Sequence, residues 1–130
     1  MRLGLIGVGA PVAKLILLAA VFGTAALIPA VASAAPDGKD RKVLVQNVSN
    51  HALRELYASP STSTTWEENL LANRTVESGK SISANIDNGT NECYYDLKGV
   101  MDDGRAVEHR TVNVCAATKW VVGETTDTVE

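Results

Sequence analysis

The sequence predicts a mainly β protein: a small antiparallel β-sandwich, most specifically an immunoglobulin-like one, with one short helix and one disulfide bridge. Short runs rich in Val, Ile, Leu, Thr and Tyr recur between clusters of Asn, Asp, Gly, Pro and Ser, which is typical of antiparallel strands joined by turns. No strand alternates with a long helical pattern, so a parallel α/β fold is not expected. The two cysteines, Cys93 and Cys115, flank the clearest turn signal and indicate a cross-linked hairpin.

The first 34 residues have the pattern of a secretory signal peptide. Arg2 and Lys14 are followed by the apolar run 15–28, and Ala32-Ser33-Ala34 supplies small residues at the cleavage point. We therefore predict removal of residues 1–34 and export to the periplasm or the extracellular space. An uncleaved anchor is the alternative, because about 20 apolar residues can span a bilayer. After cleavage, no stable membrane span is expected.

An acidic charge balance remains after the predicted cleavage. The full chain has 12 Lys and Arg against 15 Asp and Glu. Two of the basic residues and none of the acidic ones lie in residues 1–34, so the remainder has a net charge of −5. Nucleic acids and anionic membranes attract basic surfaces, so neither is an expected partner.

The part after the signal divides into three segments. Residues 35–42 are polar and contain Pro and Gly, which predicts a flexible lead-in. Residues 43–123 hold every predicted strand and form the predicted sandwich domain. Residues 124–130 are acidic and rich in Thr, which predicts a disordered tail.

Six strands are predicted in order along the domain: residues 43–45, residues 53–58, residues 81–86, the two arms of the cysteine hairpin, and residues 119–122. Between the second and third strands, Thr65-Trp66-Glu67-Glu68 fits a capping box, which predicts a helix over residues 66–72. Trp66 and Leu70 would lie one helical turn apart and pack together on a sheet.

The hairpin between the cysteines turns at Asp102-Asp103-Gly104. If residue i pairs with residue 208 − i, Cys93 lies directly opposite Cys115, at a distance that a disulfide can bridge. Such a bridge fits export, because disulfides persist in oxidising compartments. Neither face of the hairpin is purely apolar in this register. Either both faces are partly covered, or a β-bulge shifts the register along the strands.

Several short motifs occur in a fixed order along residues 43–115. They are Leu56-Tyr57-Ala58-Ser59-Pro60, Trp66, Asn69-Leu70-Leu71, Ser78-Gly79, Cys93-Tyr94-Tyr95-Asp96-Leu97, Asp103-Gly104 and Asn113-Val114-Cys115. This order resembles a group of small, uncharacterised exported proteins of Gram-negative bacteria that share a C-Y-x-D-L … D-G … N-V-C hairpin. The resemblance implies a common fold and export, and it implies no activity.

Catalytic and metal-binding motifs give little support for an enzyme. The two histidines are His51, in a turn, and His109, in the second arm of the hairpin, and no nucleophile-elbow motif frames a serine. The carboxylates of Glu92, Asp96, Asp102 and Asp103 match no EF-hand spacing, and turn chemistry explains Asp102 and Asp103. We therefore predict no catalytic residue, no metal site and no cofactor. A small hydrolase using His109 or His51 is the alternative.

The best remaining prediction is an exported, non-enzymatic binding module. Its partner would be a protein or a cell-envelope component, and the sequence leaves the oligomeric state open. The predicted interaction surface combines an exposed loop, the hairpin turn and two aromatic residues: Ser59, Pro60, Ser61, Thr62, Trp66, Asp102, Asp103 and Tyr94. A protease inhibitor with the 59–65 loop as bait is a narrower form of this hypothesis. A purely structural envelope protein is the other alternative.

Overall fold

The computed structural model describes residues 34–130, so residues 1–33 of the predicted signal peptide lie outside the described residues. Within this range the chain forms seven strands and no helix. The strands are β1 (Lys42–Asn47), β2 (Leu53–Pro60), β3 (Ser81–Asn85), β4 (Tyr94–Met101), β5 (Ala106–Asn113), β6 (Lys119–Val122) and β7 (Asp127–Val129). The prediction of a mainly β, two-sheet fold with one disulfide is therefore confirmed. No helix between residues 34 and 130 is long and apolar enough to cross a membrane.

The strands form two sheets, with the orders β3-β1-β6-β7 and β2-β4-β5. The three-stranded sheet is antiparallel throughout. The four-stranded sheet is mixed, because β1 pairs with β6 in parallel and with β3 antiparallel. The expectation of a wholly antiparallel sandwich is wrong at this one pair. The sequence gives no sign of it, because the two strands are far apart along the chain.

The core lies between the two sheets and is filled by alternate residues of every long strand. Its fully buried members include Val43 and Val45 of β1, Leu97 of β4 and Trp120 of β6. Gly99 of β4 faces this core, where a Cβ atom would lie 2.7 Å from Leu53 Cδ1. No side chain larger than the hydrogen atom of glycine therefore fits at this position unless Leu53 moves.

The hairpin contains a β-bulge, which is one of the two alternatives that the sequence allows. Near the turn, Leu97 pairs with His109, two residues from the expected partner, because the loop is centred on Asp103. Beyond Asp96 the register shifts by one residue, so that Tyr95 pairs with Val112. The shift turns Val112, the apolar residue of the second half of β5, towards the core. The expected register is therefore wrong, and the bulge is confirmed.

The disulfide forms without the exact opposition that was expected. Val114 N–H donates to Cys93 O at 2.8 Å, so Val114 is the residue opposite Cys93. Cys115 is the next residue, and its Cα lies 5.3 Å from that of Cys93. The Cys93–Cys115 bridge is present as predicted, and it closes the open end of the hairpin.

The predicted helix over residues 66–72 is absent, since this segment forms turns, with Ala72 N–H bonded to Asn69 O at 3.1 Å, and also bonds to β2. Asn69 Oδ1 accepts hydrogen bonds from the N–H groups of Leu56 and Leu71, both at 3.0 Å. Leu70 N–H donates to Leu56 O at 2.8 Å. These contacts use backbone groups that a helix would pair internally. Leu71 is thereby buried in the core.

The acidic tail is folded where disorder was expected. Residues Asp127–Val129 form β7, which pairs antiparallel with β6, and Trp120 lies opposite Val129. The Trp120 indole N–H also donates to Asp127 Oδ2 at 2.6 Å. These contacts form a local hairpin between β6 and β7, and the short, polar composition of the segment gave no sign of it.

The lead-in was expected to be flexible, and the structure packs it against the domain. Arg41 is 1% exposed, and its guanidinium contacts Asp37 Oδ2 at 2.6 Å and Glu92 O at 2.7 Å. The hydrogen bond from Arg41 lowers the pKa of Asp37 to about 2. A buried guanidinium needs these partners, because an unpaired charge in the interior is costly.

Candidate functional site

The outward face of the three-stranded sheet carries a cluster of aromatic and cationic side chains. Because residues of a strand alternate between faces, Asp96 and Lys98 of β4 point outward while Tyr95 and Leu97 point to the core. Tyr57 of β2 and Arg110 of β5 share the outward face, and Trp66 packs on it from the loop after β2. We call the surface of Tyr57, Trp66, Asp96, Lys98 and Arg110 the Trp66 face.

Two cations lie over one indole ring on the Trp66 face. Arg110 Cζ is 5.2 Å from the Trp66 ring centroid, and Lys98 Nζ is 5.6 Å from it. Tyr57 completes the cluster, with its ring centroid 6.4 Å from that of Trp66. Cation–π contacts at these distances contribute about 0.5–1 kcal/mol each at exposed sites. Trp66 is therefore held in place by its neighbours without being buried in the core.

Asp96 fixes the loop and the bulge beneath this cluster. Its carboxylate, which is 7% exposed, accepts hydrogen bonds from Ser61 Oγ at 2.9 Å, Arg110 Nη1 at 2.8 Å and Thr111 N–H at 2.9 Å. Burial by itself raises the pKa of Asp96. The hydrogen bonds from Thr111, Arg110 and Ser61 outweigh it, so the pKa lies below its usual value. The group is a carboxylate at neutral pH.

Thr111 has a backbone conformation that β-branched residues rarely adopt. Its φ is 58°, in the left-handed region. It is the extra residue of the bulge, and its N–H points at Asp96 Oδ1. Strained residues of this kind cluster at functional sites, which makes the adjoining surface the best candidate.

A small polar cleft opens beside the Trp66 face. Its volume is about 90 Å³, and it is lined by Ser59, Ser63, Thr64, Thr65, Trp66, Asp96 and Arg110. Pockets for small molecules and cofactors generally hold about 300–1,000 Å³. This cleft therefore has room for one side chain of a partner and not for a cofactor.

The predicted surface residues lie at two separate ends of the molecule. Ser59, Ser61 and Trp66 line or support the cleft, Thr62 is exposed next to them, and Tyr94, 53% exposed, begins the adjacent strand. Pro60 ends β2 and is half-buried. Asp102 and Asp103 follow the other end of β4, about 23 Å away for an eight-residue strand. The structure thus joins the loop with Tyr94 and separates both from the hairpin turn.

Four residues of the Trp66 face are outside the predicted interaction surface: Tyr57, Asp96, Lys98 and Arg110. The alternation of β4 placed Lys98 beside Asp96, and that signal was available. The signal for Arg110 was available as well, because the expected register pairs residue 98 with residue 110 and so puts both side chains on one face.

A second, larger cleft lies between loop residues 67–70 and the end of β3. Its volume is about 280 Å³, and its lining includes Glu67, Glu68 and Asp87. Asp87 already accepts hydrogen bonds from two backbone nitrogens, and Glu67 Oε1 accepts one from Asn88 Nδ2 at 3.3 Å. We assign no ligand to this cleft.

His109 is hydrogen-bonded to a carboxylate that also holds the buried Trp120. His109 Nδ1 lies 2.6 Å from Asp127 Oδ2, the same oxygen that accepts the indole N–H of Trp120. The contact joins β5 of one sheet to β7 of the other. Such a pair resembles the base and orienting acid of a hydrolase. In the part of the chain that the structure describes, no hydroxyl is hydrogen-bonded to the His109 ring, so the nucleophile is missing there.

His51 lies between the two carboxylates of the hairpin turn. Its Nδ1 is 2.9 Å from Asp102 Oδ1, and its Nε2 is 3.6 Å from Asp103 Oδ2. The hydrogen bond from His51 lowers the pKa of Asp102. Ligand atoms of these three residues lie within 4.8 Å of one another. The two carboxylates face different ring nitrogens, and the hydrogen bond to Asp102 together with the turn chemistry of Asp103 accounts for the arrangement.

Comparison of the chain with protein-family models, with curated proteins and with solved structures finds no match.

Proposed function

We propose that this protein is an exported, non-enzymatic binding module, and that the Trp66 face is its contact surface. One observation supports this above the others: two cations, two aromatic rings and a hydroxyl-lined cleft lie together on one outward sheet face, above a buried carboxylate and a strained bulge. A rigid surface of this composition is typical of interfaces, where Trp, Tyr and Arg contribute most of the binding free energy.

The charges of the Trp66 face favour an acidic partner group. Arg110 is shared between Asp96 and Glu108, at 2.8 Å and 2.6 Å. Lys98 Nζ forms no ion pair among residues 34–130, although it lies over two rings. A carboxylate or other anionic group of a partner would pair with Lys98, and a side chain could enter the adjacent cleft. The partner class is therefore a protein segment or envelope component with an acidic group.

Export and an immunoglobulin-like sandwich complete the proposal. The Cys93–Cys115 bridge supports export, because disulfides persist in oxidising compartments such as the periplasm and the extracellular space. The two-sheet arrangement of seven strands supports the immunoglobulin-like assignment.

Site-specific photo-cross-linking tests the proposed surface. A photoreactive residue placed at Thr62, beside the cleft, should capture a partner in the cells that produce the protein. The same residue at Ser83, exposed on β3 of the other sheet, is the matched control and should not. Trp66→Ala and Lys98→Glu should each abolish the Thr62 product. Capture of the same partner at Ser83, or a Thr62 product that survives both substitutions, would contradict the proposal.

A small hydrolase remains the second candidate, because His109 lies 2.6 Å from Asp127. It predicts that the purified protein hydrolyses an ester or peptide substrate and that His109→Ala removes the activity. A parallel His51→Ala variant tests the other histidine. Absence of hydrolysis across a broad substrate panel favours the binding module.

A further inference from the structure

The backbone nitrogen of Ala35 is hydrogen-bonded to the side-chain carboxylate of Asp87. It is 2.9 Å from Oδ2 and 3.1 Å from Oδ1 of Asp87. Ala35 is 4% exposed, whereas Ala34 is exposed. The chain therefore leaves the folded surface between these two residues, at the bond that the small-residue pattern marks for cleavage.

The geometry around this nitrogen is fixed from both sides. Ala35 O accepts a hydrogen bond from Gly38 N–H at 3.3 Å, which closes a turn with Pro36 at its second position. Gly38 has a φ of +68°, which a glycine adopts without strain. On the other side, Asp87 Oδ1 also accepts the N–H of Gly89 at 3.1 Å. Both partners are therefore already held in position, so little conformational entropy is lost when the nitrogen pairs with the carboxylate.

We propose that cleavage of the Ala34–Ala35 bond creates a terminal ammonium group that pairs with Asp87 and locks the mature N-terminus onto the domain. The proposal rests on the export part of the proposed function. In the hydrolysis the C–N bond breaks, water supplies hydroxyl to the Ala34 carbonyl carbon, and the Ala35 nitrogen receives a proton. The new amine binds one further proton at neutral pH, because the ordinary pKa of an α-amino group is about 7.7–8.0.

The change converts a neutral donor into a charged one at the same place. In the uncleaved chain Ala35 contributes one amide N–H, and after cleavage it contributes an ammonium with three N–H donors. The carboxylate already makes the bond charge-assisted in the uncleaved chain, and the ammonium adds a Coulomb attraction between opposite charges. Asp87 is free to take this role, because Arg41, the cation on the same segment, is already paired with Asp37 at 2.6 Å.

Other charged or titratable groups close to Asp87 are few, and they set the pH behaviour of the pair. They are Arg41 on the lead-in, Glu67 and Glu68 on the loop after β2, and Tyr95 of β4. An ammonium beside a carboxylate has a raised pKa in the folded state. Its stabilising effect is therefore fully present below the ordinary pKa of the amine, and it is lost as the pH rises through the raised value.

The test compares two exported forms of the full 130-residue chain. One has the natural sequence. The other has a threonine inserted between Ala34 and Ala35, since threonine is too large for the cleavage position and stays on the mature chain. Intact mass identifies the first residue of each product. Both forms are also made with Asp87→Asn, and thermal unfolding of all four is followed at pH 6 and pH 10.

The natural form should begin at Ala35, and the inserted form should have a Tm lower by about 4–8 °C at pH 6. Asp87→Asn should remove this difference, and so should pH 10. Nuclear magnetic resonance of the natural form should show a raised pKa for the Ala35 amine. Equal Tm values with Asp87 present, an amine with its ordinary pKa, or cleavage at another bond would each overturn the ion pair. Cross-linking at Thr62 does not depend on Asp87, so these outcomes leave the test of the Trp66 face separate.

Discussion

Replacing Asp96 by asparagine should destabilise the protein by about 2 kcal/mol at pH 7. The carboxylate accepts three hydrogen bonds, and the asparagine keeps an oxygen for Thr111 N–H and Ser61 Oγ while its amide nitrogen faces Arg110. Hydrogen bonds to a charged group contribute about 1.5–3 kcal/mol against about 1 for neutral ones. The Arg110 side chain is 58% exposed, so loss of that ion pair adds only about 0–1 kcal/mol.

The same substitution should change the response to acid. The pKa of Asp96 is below its usual value in the folded state, so its contribution to stability is present above the ordinary pKa. It is lost as the pH falls through the lower, native value. Wild type and Asp96→Asn should therefore differ in urea unfolding at pH 7, and the difference should shrink as the pH falls below the ordinary pKa of aspartate.

A matched control distinguishes the contact of Asp96 with the bulge from its ion pair with Arg110. Glu108 also contacts Arg110, at 2.6 Å, but it does not touch the bulge. Glu108→Gln should change the free energy of unfolding by less than about 0.5 kcal/mol, as expected for an exposed pair. If Asp96→Asn were as stable as wild type at pH 7, or if the two substitutions had equal effects, the assignment of Asp96 as the anchor of the bulge would be refuted.

Three further substitutions probe the core, the bulge and the bridge. Gly99→Ala should lower the free energy of unfolding by about 1–3 kcal/mol, because the new Cβ would lie 2.7 Å from Leu53 Cδ1. In a double-mutant cycle with Leu53→Ala, the cost of Gly99→Ala should fall, because the smaller side chain leaves space. If the two losses of stability simply add, the contact is refuted. Thr111→Gly should stabilise by up to about 1 kcal/mol, since relief of a left-handed φ, about 1–2 kcal/mol, exceeds the entropic cost of glycine. If urea unfolding shows that Thr111→Gly is less stable than wild type, the contacts of the threonine side chain outweigh the relief of its left-handed φ. The double variant Cys93→Ser, Cys115→Ser should lose about 3 kcal/mol of unfolding free energy, because the bridge closes a loop with a sequence separation of 22. Reduced wild type is the control and should unfold at the same urea concentration as the double variant.

Local signals predicted most of this fold. All six strands expected from alternation and turn residues are present, and the disulfide joins the expected cysteines. The seventh strand was missed because the residues of β7 are polar and its stability comes from pairing with β6 and from the Trp120–Asp127 contact. The helix was wrongly expected because a capping box is a local pattern, and the side chain of Asn69 redirects the backbone towards β2.

The candidate site was predicted only in its loop. Ser59, Ser61 and Trp66 were named from the sequence, because exposed Ser- and Thr-rich loops and tryptophans are recognisable without a structure. Lys98 and Arg110 were not named, although alternation along the hairpin puts both on the outward face; their contact with Trp66 depends on how the loop after β2 folds over the sheet. A β-branched residue with positive φ has no sequence signature, since its conformation is imposed by the surrounding contacts.

The parallel pairing of β1 with β6 determines when the chain can complete its fold. The three-stranded sheet forms from β2, β4 and β5, whose hairpin is local in sequence. The four-stranded sheet places β1, from the start of the domain, next to β6, from near its end, and β7 pairs on the far side of β6. A chain that emerges N-terminus first therefore holds β1 without β6 until Lys119–Val122 has appeared. Long-range pairing of this kind slows folding, so closure of this sheet should be the final step after synthesis or transport.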